Sequence, residues 1–168
     1  IQELETRYLG KKLQVVKSTP EALEEHIKKA DVFISTILIP GAKPPKLVKE
    51  YMVQSMKPGA VIVDIAIDQG GTVETIDPVS YTNHAEPVFT RHGIIHYAVP
   101  NMPGGTPRTS TLVMSKGNIE YLKGIADDGL EEALNLCEPL RSGMSVYKGK
   151  IVSAALADSI GLPYTKIK

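Results

Sequence analysis

The sequence has 168 residues and a mass of 18.2 kDa, with 42% hydrophobic and 23% charged residues, which describes a globular chain with a real core rather than a disordered one. Lys plus Arg and Asp plus Glu number 19 each, so the net charge is zero and nucleic acid is not the expected partner. A single cysteine, Cys137, excludes a disulfide framework and a cysteine-held zinc and points to a reducing, cytoplasmic setting, and no apolar run reaches the roughly 18–20 residues that span a bilayer, so no membrane partner is expected.

The chain opens Ile1-Gln2-Glu3, without an initiator Met or a leader pattern, and is expected to begin inside something larger. Residues 13–16 read as a short strand. Ser18 with Glu21 forms a capping box; Thr19 as cap with Pro20 at the first helical position is the alternative. Either starts a helix near residue 20, with Leu23, Ile27 and Ala30 on its apolar stripe. Residues 31–39 are almost continuous β-formers, the pattern of a strand buried on both faces of a parallel sheet. Pro44 and Pro45 precede a second helix carrying Leu47, Val48, Tyr51, Met52 and Met56, which Lys57-Pro58-Gly59 stops. Residues 60–67 read as another buried strand and 94–99 as a further one. The polar stretch 68–93 between them, with Gly70, Gly71, Pro78 and Pro87, reads as a long functional loop.

After residue 103 the pattern turns helical. Residues 107–127 predict one long helix with an imperfect apolar face of Leu112, Val113, Ile119, Leu122 and Ile125, weakened by Gly117. A short helix follows at 130–136, then a hairpin at 145–152 around Lys148-Gly149-Lys150, then a last helix at 153–160. The expected fold class is α/β: an incomplete Rossmann-like parallel sheet, followed by a C-terminal helical segment with a small hairpin.

Ligands of open α/β sheets bind beyond the carboxyl ends of the strands. Those ends fall at 36–41, 67–71 and 99–103, where apolar residues combine with Gly or Pro and two polar groups stand out, Asp68 and Asn101. Apolar walls with a few placed polar groups suit a flat heteroaromatic cofactor. Asp68 opens a Gly-Gly turn, so its carboxylate either bonds its own turn or projects into a crevice. Asn101 is likewise open between turn former and ligand contact. Asp64, inside the strand, reads as structural. His26, His84, His92 and His96 lack metal-ligand spacing, so no metal is expected. Lys43, Lys46 and Lys49 read as a solvated face. No G-x-G-x-x-G occurs, so the sheet is expected to start at what would be the third strand of a dinucleotide-binding domain.

The stretches ILIPGAKPPKLV at 37–48, MKPGAVIVDIAIDQGG at 56–71, HYAVPNMPGGTPRTST at 96–111 and, more weakly, YKGKIVSAALADSIGLPY at 147–164 resemble the alanine dehydrogenase and nicotinamide nucleotide transhydrogenase family. The resemblance runs from about residue 13 onward, and DIAIDQGG followed by NMPGGTPRTST is its specific part. It implies an NAD-dependent enzyme that reversibly deaminates L-alanine to pyruvate and ammonia, with hydride transfer to NAD. It also implies a C-terminal fragment, inactive alone: 1–103 as the C-terminal half of the NAD-binding domain, and 104–168 as a helical return belonging with an N-terminal substrate domain. The implied partners are L-alanine or pyruvate, the N-terminal half of the same protein, and further copies in a homo-oligomer, hexameric in the family. Asp68 corresponds to the family's active-site aspartate beside the nicotinamide. Ile37, Leu38, Leu47, Ile65, Val99, Asn101 and Met102 fall at cofactor-lining positions, with Gln69 next to them. Pro100 and Pro44 stand where Ala is usual, which stiffens that region without removing a functional group. The alternatives are the nucleotide-binding domain of a proton-translocating transhydrogenase and a half-domain that binds nothing tightly.

Overall fold

The computed structural model describes residues 2–8, 10, 12–77 and 80–166. They fall into two compact units, Ile1–Ile37 with Pro45–Pro100, and Leu38–Pro44 with Asn101–Lys168.

The first unit contains helices α1 (Gln2–Arg7), α2 (Pro20–Ile27) and α3 (Glu50–Gln54), with strands β1 (Val32–Ser35), β2 (Val61–Asp64), β3 (Val88–Arg91) and β4 (Ile94–Tyr97). Thr19 rather than Ser18 caps α2: its hydroxyl accepts the Ala22 N–H at 3.2 Å, and Pro20 takes the position whose missing N–H costs nothing. The sheet order is β1-β2-β4-β3, parallel between β1, β2 and β4, antiparallel between β4 and β3. The register sets Phe33, Ile62, His96 and Phe89 side by side on one face. That face belongs to a core built with Ile27, Met52, Val53, Met56, Val73 and Ile76.

The opposite face carries the row Ile34, Val63, Tyr97 and Val88. Ile34 is 57% exposed and Val88 50%, so β1 is not buried on both faces as the sequence suggests. Three further expectations change in this unit. Residues 13–16 find no ladder partner among the described residues and stay irregular. The apolar run at 60–67 stops being strand at Asp64, because the Asp64 carboxylate takes the Ala66 N–H at 3.0 Å and turns the chain into a 3-10 turn, Ile65–Gln69. The helix expected from Leu47 starts only at Glu50: Val48 donates its N–H to Thr72 O at 3.1 Å and accepts from Glu74 N at 2.9 Å, so 46–49 forms an extended strap. The stretch 68–93 is not all loop either. It contains β3, joined to β4 through His92 (φ 55°) and Gly93 (φ 76°), both left-handed as a tight hairpin turn of two residues requires.

The second unit contains a 3-10 turn (Met102–Gly105), α4 (Pro107–Asp128), α5 (Leu130–Leu136), α6 (Glu138–Ser142), the hairpin β5 (Val146–Tyr147) and β6 (Lys150–Ile151), and α7 (Ala154–Ile160), capped by the Ser153 hydroxyl. The long helix, the short one after it, the hairpin and the last helix stand where the sequence predicts them; α6 is additional. No residue of α4 is buried, and Leu112, Val113 and Leu122 are each at least 60% exposed. Among the described residues no helix is long and apolar enough to cross a membrane.

Candidate functional site

In the first unit, the parallel strands β1, β2 and β4 bring their carboxyl ends to one edge of the sheet. Ile37 follows β1 there, the 3-10 turn follows β2, and Val99 follows β4. The turn is anchored by buried Ala66 and Ile67, and it presents Ile65 and Asp68 outward, both exposed. Gln69 is half-buried, and its Oε1 is enclosed without a hydrogen-bond partner among the described residues. Buried carbonyl oxygens are normally satisfied, so an orphan acceptor beside an exposed carboxylate marks a place able to receive an N–H or O–H donor. Ile37 and Leu47 are half-buried and Val99 is buried.

Asp64 fixes this turn from below. Its carboxylate is fully buried; Oδ1 accepts the Ala66 N–H and Oδ2 accepts the Thr72 N–H at 2.6 Å. The Thr72 hydroxyl donates to Ser35 Oγ at 2.6 Å and lies 3.3 Å from Asp64 Oδ2, which ties the end of β1 to the same knot. Gly70 (φ 108°) and Gly71 (φ 70°) let the chain reverse around the carboxylate.

Lys46 fixes it from the side and is not part of a solvated face. Its Nζ donates to Gly70 O at 2.8 Å, Val73 O at 3.1 Å and Ile76 O at 2.9 Å, using all three ammonium donors on backbone. Burial pushes the Lys46 ammonium below its ordinary pKa, while Asp64, Asp77 and Glu74 pull it back up. Lys49 pairs with Glu74 at 2.8 Å, and Glu74 Oε2 also accepts the Glu50 N–H. No sequence signal separates Lys46 from its neighbours, because its partners lie 24 to 30 residues further on.

Tyr81 is a second group that the sequence does not flag. Burial raises its phenol, and the charges of Asp64, Asp77 and Asp68 raise it further, which places the ring in the field of this acidic turn. His96 is fully buried inside the sheet layer, with Nδ1–H donating to Ile94 O at 2.9 Å, Nε2 accepting the Thr75 hydroxyl at 2.8 Å, and Phe89 stacked at 4.7 Å. Leu38, Asn101 and Met102 belong to the second unit: Leu38 is exposed, Asn101 is left-handed (φ 53°) and opens the 3-10 turn, and Met102 is half-buried. Among the described residues no group of three His, Cys, Asp or Glu could hold a metal ion.

The sequence is 56% identical over 167 residues to alanine dehydrogenase 1 of Staphylococcus aureus, for example strains N315 and USA300; the alignment covers 99% of this chain and 44% of those proteins. The chain thus spans less than half the length of these relatives. Its structure matches a solved L-alanine dehydrogenase with a TM-score of 0.77 at 34% identity, over 95% of this chain and 43% of that one. It matches a transhydrogenase from Sinorhizobium meliloti less closely, with a TM-score of 0.59 at 27% identity, over 82% and 36% of the two chains. The family model described as alanine dehydrogenase/PNT, C-terminal domain, matches residues 1–154, and the chain belongs to that family.

Proposed function

We propose that this chain forms the nicotinamide side of the NAD site of an L-alanine dehydrogenase, a cytoplasmic enzyme that interconverts L-alanine with pyruvate and ammonia. The 56% identity to alanine dehydrogenase 1 favours this over a transhydrogenase role, for which the likeness is weaker. The observation that carries the site is the 3-10 turn itself, which presents Asp68 outward next to the orphan acceptor of Gln69.

These residues fit NAD. Gln69 Oε1 supplies an acceptor for an amide N–H, and Ile37, Leu47, Ile65 and Val99 supply apolar surface for a flat ring. Bound NAD supplies the hydride acceptor. Beside a bound substrate, Asp68 would stabilise the positive charge that develops at the amine and would hold or pass a proton as water replaces ammonia. The buried Asp64 holds the turn still and touches no substrate. The rest of a longer protein supplies the groups that bind L-alanine, residues 104–168 pack with that portion, and the enzyme works as a homo-oligomer.

Asp68→Asn in the full-length protein tests the assignment. We expect kcat to fall on the order of 10²–10³-fold, as for other groups that stabilise developing charge, while NAD affinity changes little. A variant with near-normal kcat returns Asp68 to a turn-forming role.

A further inference from the structure

We propose that Lys46 is a positioning residue for the Asp68 turn: its ammonium, seated on Gly70 O, Val73 O and Ile76 O, holds the segment that follows Gln69 in one conformation. The proposal goes beyond the reading of Asp68 given above and rests on it for its effect on turnover.

The geometry singles out Lys46. Three carbonyl oxygens from 70–76 converge on one point, 2.8, 3.1 and 2.9 Å from Nζ. Left without a cation, three inward-facing carbonyl dipoles repel one another, although Val73 O keeps the Ile76 N–H as a donor at 3.2 Å. The three carbonyls span the loop: Gly70 ends the turn that carries Asp68, and Ile76 sits fully buried in the core. A charge at their focus therefore ties the end of the turn to the buried end of the loop. The lysine's own anchor is firm, because Val48, two residues on, is bonded to Thr72 and Glu74 in both directions. Asp64, Asp77 and Glu74 favour the ammonium electrostatically in this cup, against the burial that lowers its pKa. An ammonium is a compact charge with three tetrahedral donors; a guanidinium is planar and offers its donors as a fork, so it cannot seat on three oxygens around a point.

Lys46→Met in the full-length protein removes the charge and keeps the stem. The expected result is a kcat loss on the order of 100-fold, the scale of a small misplacement at a reacting centre, with the KM for NAD unchanged. Hydrogen exchange should accelerate at the Thr72, Glu74 and Ile76 amides, all bonded within or across this loop, and stay unchanged in β2 and β4. Lys46→Ala should recover part of both readouts with millimolar butylammonium, which supplies the missing ammonium to the cup. Lys46→Arg, which keeps charge and length and serves if Lys46→Met fails to fold, should still show the kcat loss and the local exchange.

A wild-type kcat in Lys46→Met, or a loss of activity that only follows the folded fraction while exchange rises everywhere, overturns the proposal in favour of plain structural support. Failure of the Asp68 reading looks different: Asp68→Asn would turn over normally, while the exchange at 72–76 in Lys46→Met would still report the clamp.

Discussion

A Cβ placed on Gly71 would stand 2.8 Å from Asp64 Oδ2, closer than any side chain tolerates. The contact exists because Gly71 carries the chain around the carboxylate that organises the turn, at φ 70°. Gly59 shares the left-handed backbone (φ 81°) but has nothing within 4 Å of such a Cβ. Gly71→Ala should therefore cost clearly more than Gly59→Ala, whose penalty is only the backbone's, about 1–2 kcal/mol. Urea unfolding of the two variants measures the difference. Equal losses would mean that Asp64 can move aside.

Asp64 itself should be a stability residue. Asp64→Asn keeps shape but turns an NH2 group toward one of the two backbone donors, Ala66 N–H or Thr72 N–H. Losing a buried hydrogen bond to a charged acceptor costs about 1.5–3 kcal/mol. Chemical denaturation should show a loss of that size, with an unchanged m-value. A loss below a few tenths would show that the knot is redundant.

Much of this architecture was legible. The buried halves of β1, β2 and β4 announce themselves as β-branched runs, and the Thr19-Pro20 start and Lys57-Pro58-Gly59 stop are local chemistry. Where strands end was not legible, because apolar composition continues past the ladder: Ile37, Leu38 and Ile39 look like Phe33 and Ile34, yet β1 stops at Ser35, beside the point where Asp64 bends its partner strand away. The hairpin of β3 and β4 did carry a signal in His92-Gly93, masked by the surrounding polar residues. Asp68 stands out in the sequence by its place after a strand and by a family motif. Lys46 does not, because the carbonyls it binds are brought to it only by folding.

His96 predicts a pH dependence. Burial lowers its pKa below the ordinary 6.5, with the charges of Arg91 and His92 acting in the same direction, and the bond to Ile94 O opposing. Above pH 6.5 both folded and unfolded His96 are neutral, so the contribution is fully present. As pH falls below 6.5 the unfolded chain takes up a proton that the folded chain refuses, and stability declines until the folded pKa is reached. The slope from one such group is at most about 1.4 kcal/mol per pH unit. His96→Gln should flatten the stability profile below pH 6.5 relative to wild type. An identical slope in both would show that His96 is protonated in place.

The apolar surface left exposed in each unit gives the last prediction. In the first unit Val32, Ile34 and Val88 lie on the uncovered sheet face, between 50% and 57% exposed. Parallel sheets ordinarily have both faces covered, and among the described residues β1 is moreover an edge strand. In the second unit α4 exposes Leu112, Val113, Met114 and Leu122. Contiguous apolar surface of this kind drives association. The 168-residue chain should therefore bind a hydrophobic dye and grow in mean mass with concentration in light scattering. Ile34→Thr with Val88→Thr should reduce both signals if the sheet face is responsible; Leu112→Gln with Leu122→Gln should do so if α4 is. A monodisperse species of 18.2 kDa at every concentration, without dye binding, would mean that both surfaces are covered in solution.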